Sequence, residues 1–348
     1  MTDLDSYNYH LPEELIAKEP AEPRDTARLF VYDTKKDEGH FDIFRNIGNY
    51  LPEKTLLVVN DTKVVPARLV LKKETGGKIE VLLFMNELRP GDTTLKGIVD
   101  RKSEVGAKLY FTSGDHLEIT KQDEQFFFFR PSVSIPELFV LLDREGVTPI
   151  PPYIKGSPLD ESTLRSKYQS VFAKHPASVA APTASLHFTP ELMTELAEKH
   201  VDSAFVTLHV GAGTFAPITP ENFETKKLFT EYYDVSQESA DKINRAIAEG
   251  YTVIPVGTTA CRTIESCGTS SRITPGAGPT NIFIFPPYHF QIAGGLITNF
   301  HIPRSSLMLL VDALLKDKGA KRNILDLYAI AIQEKFRFYS FGDGMLII

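Results

Sequence analysis

Three of the nine histidines stand where a site could be built. His187 lies in Thr183-Ala-Ser-Leu-His-Phe-Thr189, His209 precedes Val-Gly-Ala-Gly, and His301 lies in Ile297-Thr-Asn-Phe-His-Ile-Pro303. Each closes an apolar run beside small or turn-forming residues, and strand ends are where α/β proteins place ligands. Taken singly, each also fits a core histidine bonded to backbone. No pair has the i,i+4 spacing of helical zinc ligands, so no metal is expected. The segment Val256-Gly-Thr-Thr-Ala-Cys-Arg-Thr-Ile-Glu265 runs from a strand through Gly257 into a helix whose first N–H groups suit an anion or carboxylate. Arg262 and Glu265 fall one helical turn apart and are expected to pair. Asn60-Asp-Thr-Lys-Val-Val-Pro-Ala-Arg68 concentrates polar groups at another strand exit.

Other motifs exclude chemistry. Val210-Gly-Ala-Gly-Thr-Phe-Ala216 contains G-x-G-x-x-A after a strand, but Pro217 and Pro220 block the helix that a dinucleotide fingerprint needs. A glycine loop that lets backbone approach a ligand remains, as does a plain tight turn. Cys261 and Cys267 match no zinc or redox spacing and read as packing residues. The chain has no G-x-S-x-G elbow, so an α/β-hydrolase is not supported.

The elements that must hold these residues divide into stretches. Leu29–Tyr32 and Leu56–Asn60 read as strands joined by a polar, partly helical connection. From Pro66 short β-rich runs alternate with Gly/Asp turns: 68–71, 79–85, 95–99, 107–111, 116–119 and 125–129, closed by Pro131 and a helix-like 135–144. That spacing predicts a small antiparallel sheet or barrel. From Val147 helices and strands alternate. Thr189-Pro190 caps a helix to about Lys199, Ala204–Val210 is a strand, and Ser236 caps a helix ending at Gly250. Thr252–Val256, Ile282–Phe285 and Leu296–Phe300 read as strands, 306–315 and 324–334 as helices, and 336–348 as a final strand broken at Gly342. The expected fold is mixed α/β: a discontinuous α/β domain over 1–65 and 147–348, with a barrel-like all-β domain, 66–146, inserted.

Composition narrows the class. The 348 residues carry 38 basic and 45 acidic side chains, a net charge of −7, and two cysteines. A disulfide framework is excluded, and packing must supply stability. No run of ~18 apolar residues is present, and the acidic start lacks an apolar signal core, which predicts a cytoplasmic protein with no membrane partner. The charge excludes a wholly basic nucleic-acid surface but allows a confined basic patch.

In order, the chain carries Tyr9-His-Leu-Pro-Glu-Glu-Leu-Ile-Ala17, Pro23-Arg-Asp-Thr-Ala-Arg-Leu29, Val59-Asn-Asp-Thr-Lys-Val-Val-Pro-Ala-Arg-Leu69 and Thr75-Gly-Gly-Lys-Ile-Glu-Val-Leu-Leu83. Pro151-Pro-Tyr-Ile154, Tyr168-Gln-Ser-Val-Phe-Ala173, Ser178-Val-Ala-Ala-Pro-Thr-Ala184 and Leu186-His-Phe-Thr189 follow. His209-Val-Gly-Ala-Gly-Thr-Phe215, Val256-Gly-Thr-Thr259, Leu296-Ile-Thr-Asn-Phe-His301 and Tyr339-Ser-Phe-Gly-Asp343 complete the series. Together they resemble the S-adenosylmethionine:tRNA ribosyltransferase-isomerase family of queuosine biosynthesis over nearly the whole chain.

The resemblance implies a reaction. The ribosyl group of S-adenosylmethionine, the co-substrate, is transferred and isomerised onto 7-aminomethyl-7-deazaguanine in a tRNA with a GUN-type anticodon. Epoxyqueuosine forms, and adenine and methionine leave. It implies His187, His209 and Glu231 as catalytic candidates, the histidines in proton transfer. Asn60, Asp61, Arg68, Gly211, Gly213, Thr258, Thr259, Asn299 and His301 become the substrate-binding candidates. The chain departs from the family at several points. His-x-Met-His-x-Glu becomes Lys226-Lys-Leu-Phe-Thr-Glu231, the glycine before Leu-His-Phe-Thr is Ser185, and an arginine after Pro-Pro-Tyr-Ile is Gly156. The β block reads Lys96–Ser103 without the family's tryptophan or its lysine-bearing Pro-Gly segment. A divergent paralogue that binds RNA or nucleoside without turnover, or a transferase with another acceptor, is the alternative. Candidates for the basic patch are Arg165-Ser-Lys167, Lys226-Lys227 and the run Lys316, Lys318, Lys321 and Arg322.

Overall fold

Residues 55–60 are buried at every position, as a strand covered on both faces must be. They form β3 (Thr55–Asn60), after β1 (Arg28–Asp33) and β2 (Glu38–Ile43) and before β4 (Thr62–Val64). The structure, a computed structural model, describes residues 4–89, 91–154, 156–211 and 218–348. Next come β5 (Arg68–Lys73), β6 (Lys78–Leu83), β7 (Leu95–Val99), β8 (Lys108–Tyr110), β9 (His116–Asp123) and β10 (Phe126–Pro131). Helices α1 (Ile135–Glu145) and α2 (Glu161–Lys167) lead to β11 (His175–Ser178), α3 (Pro190–Glu198) and β12 (Asp202–His209). Then follow α4 (Pro220–Thr225), β13 (Lys227–Val235), α5 (Gln237–Ala248), β14 (Thr252–Val256) and α6 (Thr258–Cys267). The short β15 (Gly268–Thr269) and β16 (Arg272–Ile273) precede β17 (Gly276–Ile282), β18 (Leu296–Asn299), α7 (Ser306–Asp317), α8 (Ile324–Gln333) and β19 (Gly344–Ile347).

Among the described residues the main sheet runs β17-β13-β12-β3-β14-β18-β19-β1-β2. Its centre, β12-β3-β14-β18, is parallel throughout. Four neighbouring carboxyl ends therefore meet at one edge, where open α/β sheets bind ligands. One face packs against α5, α6, α7 and α8. The other packs against α3 and the 183–187 turn. Side-chain caps start the helices: Thr189 accepts from Leu192 N–H and Ser236 from Ser239 N–H.

Between β4 and α1 the chain closes a six-stranded antiparallel barrel, β10-β7-β6-β5-β8-β9. Alternate residues fill its interior, and Leu138, Leu141 and Leu142 of α1 plug it. Arg68 and Val147 bond each other's backbone at the neck, N to O at 3.4 and 2.8 Å. The mixed α/β fold with a barrel-like insertion is thus present.

Local readings shift at four places. The connection after β1 contains an exposed strand, β2, paired antiparallel with β1, and its turns are 3-10. β13 was not foreseen, since its polar 227–235 run buries only Glu231 and Val235. The strand expected over Ile282–Phe285 lies earlier, as β17. The final strand is confined to Gly344–Ile347, because residues 336–343 turn back on themselves through Gly342 N–H to Tyr339 O and Asp343 N–H to Arg337 O. Among the described residues no helix is long and apolar enough to cross a membrane.

Candidate active site

Asn60 stitches the strand ends together. Its Nδ2 donates to Leu208 O at 3.0 Å and Thr259 Oγ1 at 3.1 Å, while Oδ1 accepts from Leu208 N–H and Thr62 N–H. Asn60 is fully buried and engaged, so it positions the site and does not face a ligand. Beyond β14 the chain turns at Gly257, whose φ of +87° favours glycine, and enters α6. Thr258 and Thr259, in the first turn of α6, line a cavity together with Asn299, His301, Tyr153 and Tyr339. The first N–H groups of a helix are unsatisfied and carry partial positive charge.

His301 faces this cavity with Nε2 2.8 Å from Thr298 Oγ1. Burial pushes its pKa down to about 3, so the ring is neutral. Asn299 accepts from Thr183 Oγ1 at 3.0 Å and turns Nδ2 toward His187 Nε2 at 3.2 Å and Asp343 O at 3.4 Å. His187 sits one layer behind, stacked on Phe44 at 4.7 Å between ring centres. Burial, with the Arg337 and Arg24 charges, holds it at about pKa 3. His187 therefore reaches the cavity only through Asn299.

The other candidates go elsewhere. His209 opens onto a second cleft with Asp61, its Nδ1 2.8 Å from Thr62 Oγ1. Burial, then the His175 and Arg89 charges, lowers its pKa to about 4. Asp61 accepts from Thr207 Oγ1 at 2.6 Å and faces His175 Nε2 at 3.5 Å, and burial raises its carboxyl pKa despite both. Gly211 and Glu231 line a third cleft, between the barrel and β13. Arg68 is tied to Glu80 at 2.7 Å on the barrel wall, lining none of these three. Gly213 lies outside the described residues.

Arg262 does not pair with Glu265. Its Nη1 reaches Glu231 Oε2 at 2.5 Å, both side chains being about 95% buried, and Glu231 Oε1 also accepts from Gly211 N–H at 3.1 Å. Glu265 accepts from the backbone N–H groups of Gln291, Ile292 and Ala293 and from Tyr288 O–H. The helix face toward β13 decides the pairing over i,i+3 proximity.

Sequence reasoning passed over the aromatic wall. Tyr153 and Tyr339 lie 4.8 Å apart, and Tyr153 O–H bonds Ser340 Oγ at 2.7 Å. Tyr339 holds φ +72°, an uncommon conformation for a bulky side chain. The Pro-Pro-Tyr-Ile and Tyr-Ser-Phe-Gly-Asp blocks carried that signal without showing that they meet. Several basic candidates are neutralised, Lys316 by Asp312, Arg322 by Asp37 and Lys167 by Glu22. Lys226 and Lys227 enter β13, ahead of the third cleft. Among the described residues no group of three His, Cys, Asp or Glu side chains could hold a metal ion.

The three lowered histidines set an acid dependence. Each folded value lies below the ordinary 6.5, so the unfolded chain binds more protons between about pH 4 and 6.5. Their contribution is complete above pH 6.5 and is lost as pH falls toward the folded values, at up to about 1.4 kcal/mol per pH unit per ring. Urea midpoints should drop steadily from pH 7 to pH 5. A flat profile would mean that these rings meet water.

A family model described as "Queuosine biosynthesis protein" matches residues 4–347. Two curated proteins named S-adenosylmethionine:tRNA ribosyltransferase-isomerase are similar at full length. The one from Carboxydothermus hydrogenoformans is 43% identical over 99% of both chains, and that from Clostridioides difficile is 44% identical over 98% of both. The crystal structure of S-adenosylmethionine tRNA ribosyltransferase from Thermotoga maritima is 32% identical, covers 98% of this chain and 99% of its own, and matches with a TM-score of 0.55. The sequence blocks, the barrel inserted in a mixed sheet and these full-length matches agree: the chain belongs to the queuosine biosynthesis protein family.

Proposed function

We infer that the chain transfers and isomerises the ribosyl group of S-adenosylmethionine onto 7-aminomethyl-7-deazaguanine in tRNA, giving epoxyqueuosine and releasing adenine and methionine. One observation carries the site assignment: the cavity at the carboxyl ends of the parallel strands joins a helix N-terminus to a tyrosine wall. The α6 N–H groups at Thr258 and Thr259 suit the methionine carboxylate. The faces of Tyr153 and Tyr339 suit the sulfonium cation. His301 is neutral, so it does not repel that cation, and its ring borders the cavity where the proton must be taken. The sulfonium acidifies the adjacent ribose carbon, and loss of that proton starts the rearrangement. His187 acts as a positioning residue, since Asn299 stands between it and the cavity.

The acceptor is the wobble base of tRNAs with a GUN-type anticodon. Incubation with S-adenosylmethionine and tRNA bearing the deazaguanine precursor should release one adenine per modified nucleoside, and tRNA without a GUN-type anticodon should give none. Binding of both substrates without adenine release would overturn the reading and mark a non-catalytic paralogue. His301→Ala should lower kcat by about 10²-fold or more, within the range for lost proton transfer, with an unchanged circular dichroism spectrum. A rate within threefold of the parent would remove His301 from the chemistry.

A further inference from the structure

The third cleft has no part in the cavity just described. It lies between the barrel and β13 as an open cleft lined by Phe84, Asn86, Lys96, Phe126, Phe229 and Glu231. We propose that it receives the acceptor nucleobase, a deazaguanine swung out of its RNA stack, with the Asn86 carboxamide reading the base's hydrogen-bonding edge. The identity of the base rests on the ribosyl-transfer reading; the cleft's preference for a flat heterocycle rests on the observations below.

Asn86 is 2% exposed, and its Oδ1 is buried without a hydrogen-bond partner. A buried acceptor left without a donor is costly, so one retained here points to a donor that arrives with a ligand. A guanine-type edge presents such donors beside an acceptor, matching the two ends of a carboxamide. The walls supply stacking faces. Phe84 and Phe126 pack edge to face at 6.0 Å, and Phe229 stands 48% exposed at the cleft. Unstacked bases bind on such rings.

Charge separates a base from a phosphate as the occupant. Glu231 is matched by Arg262 and Glu87 by Lys96 at 3.2 Å, so the lining offers no surplus cation to a phosphate. A planar heterocycle needs no such counterion. Placement also fits the reaction. Gly211 lines this cleft while its neighbour Val210 lines the first cavity, so two substrates can meet around the end of β12. A side chain at Gly211 could not be accommodated as the structure stands, because its Cβ would fall 2.6 Å from Asn86 Nδ2.

The test uses the full chain and two anticodon stem-loops, one with 7-aminomethyl-7-deazaguanine at the wobble position and one with adenosine there. Fluorescence anisotropy without S-adenosylmethionine measures RNA binding, and calorimetry measures S-adenosylmethionine binding. Asn86→Ala should erase the preference for the deazaguanine stem-loop by tenfold or more and leave S-adenosylmethionine affinity within twofold. Phe229→Ala, at an exposed position, should weaken the deazaguanine stem-loop at least threefold without loss of fold. If Asn86→Ala unfolds, Asn86→Asp supplies the same reading with the side-chain volume kept. Unchanged preference in the folded Asn86 variant, or a parallel loss of S-adenosylmethionine binding, overturns the proposal. Asn86-dependent preference in a protein that releases no adenine upholds the cleft and removes the transferase reading.

Discussion

Arg262→Ala should cost about 3–5 kcal/mol of unfolding free energy, because it strands the Glu231 carboxylate in the interior. Both side chains are buried, and their 2.5 Å contact joins α6 to β13. The desolvation of two ions is tolerable only while each has the other. Replacing the pair together, as Arg262→Met with Glu231→Leu, should recover most of the loss, since the uncompensated charge is then gone. Urea unfolding of the two variants separates the outcomes. A single-variant cost below about 1 kcal/mol would place the pair in the class of solvated surface bridges. The double variant, though folded, should lose affinity for the deazaguanine stem-loop, because Glu231 lines the cleft proposed for the base.

Asn299→Ala should lower kcat by about 10²-fold, or about 2.7 kcal/mol at 1.36 kcal/mol per decade. This one carboxamide touches Thr183 Oγ1, His187 Nε2 and Asp343 O, so its loss unfastens three parts of the cavity wall at once. The KM for S-adenosylmethionine should move less than threefold, because the α6 N-terminus is untouched. His187→Ala should reproduce a smaller share of the defect, acting through Asn299 alone. Equal defects would make His187 the group that matters. Steady-state adenine release over a range of S-adenosylmethionine concentrations gives the needed kcat and KM separately.

The parts of the fold legible in the sequence are those whose own side chains specify them. β3 and β14 are nearly continuous apolar runs, and the caps at Thr189 and Ser236 are local hydrogen-bond chemistry. β2, β13 and β17 escaped because they lie toward the sheet's outer edges and are exposed along much of their length. Their register comes from backbone pairing to strands far away in sequence, which no alternation of residues announces. The site shows the same division. Residue types were visible for all three histidines, but the expected strand ends hold only for His209 on β12 and His301 after β18, since His187 closes a 3-10 turn; one faces the cavity, one stands behind it and one opens onto another cleft. That sorting depends on which way each side chain leaves its strand end or turn. Arg262 illustrates the limit most plainly, since its true partner lies across two elements and its sequence neighbour Glu265 fastens a loop instead.

The backbone bonds between Arg68 and Val147 bear on how the chain reaches this arrangement. β4 and β11 pair in parallel across the whole barrel segment, a long-range contact. Four of the barrel's six seams join consecutive strands, and even the two closing seams, β7 with β10 and β5 with β8, span far less chain than the β4–β11 pairing, so the barrel can organise early. Once its neck is closed, the effective tether between β4 and β11 shortens to the few turns outside it. By logarithmic loop scaling that saves roughly 1 kcal/mol of closure entropy when β4 and β11 come together beside the main sheet. The insertion thus acts as an assembly aid: variants that loosen the barrel should slow refolding of the sheet as well as weaken the barrel itself.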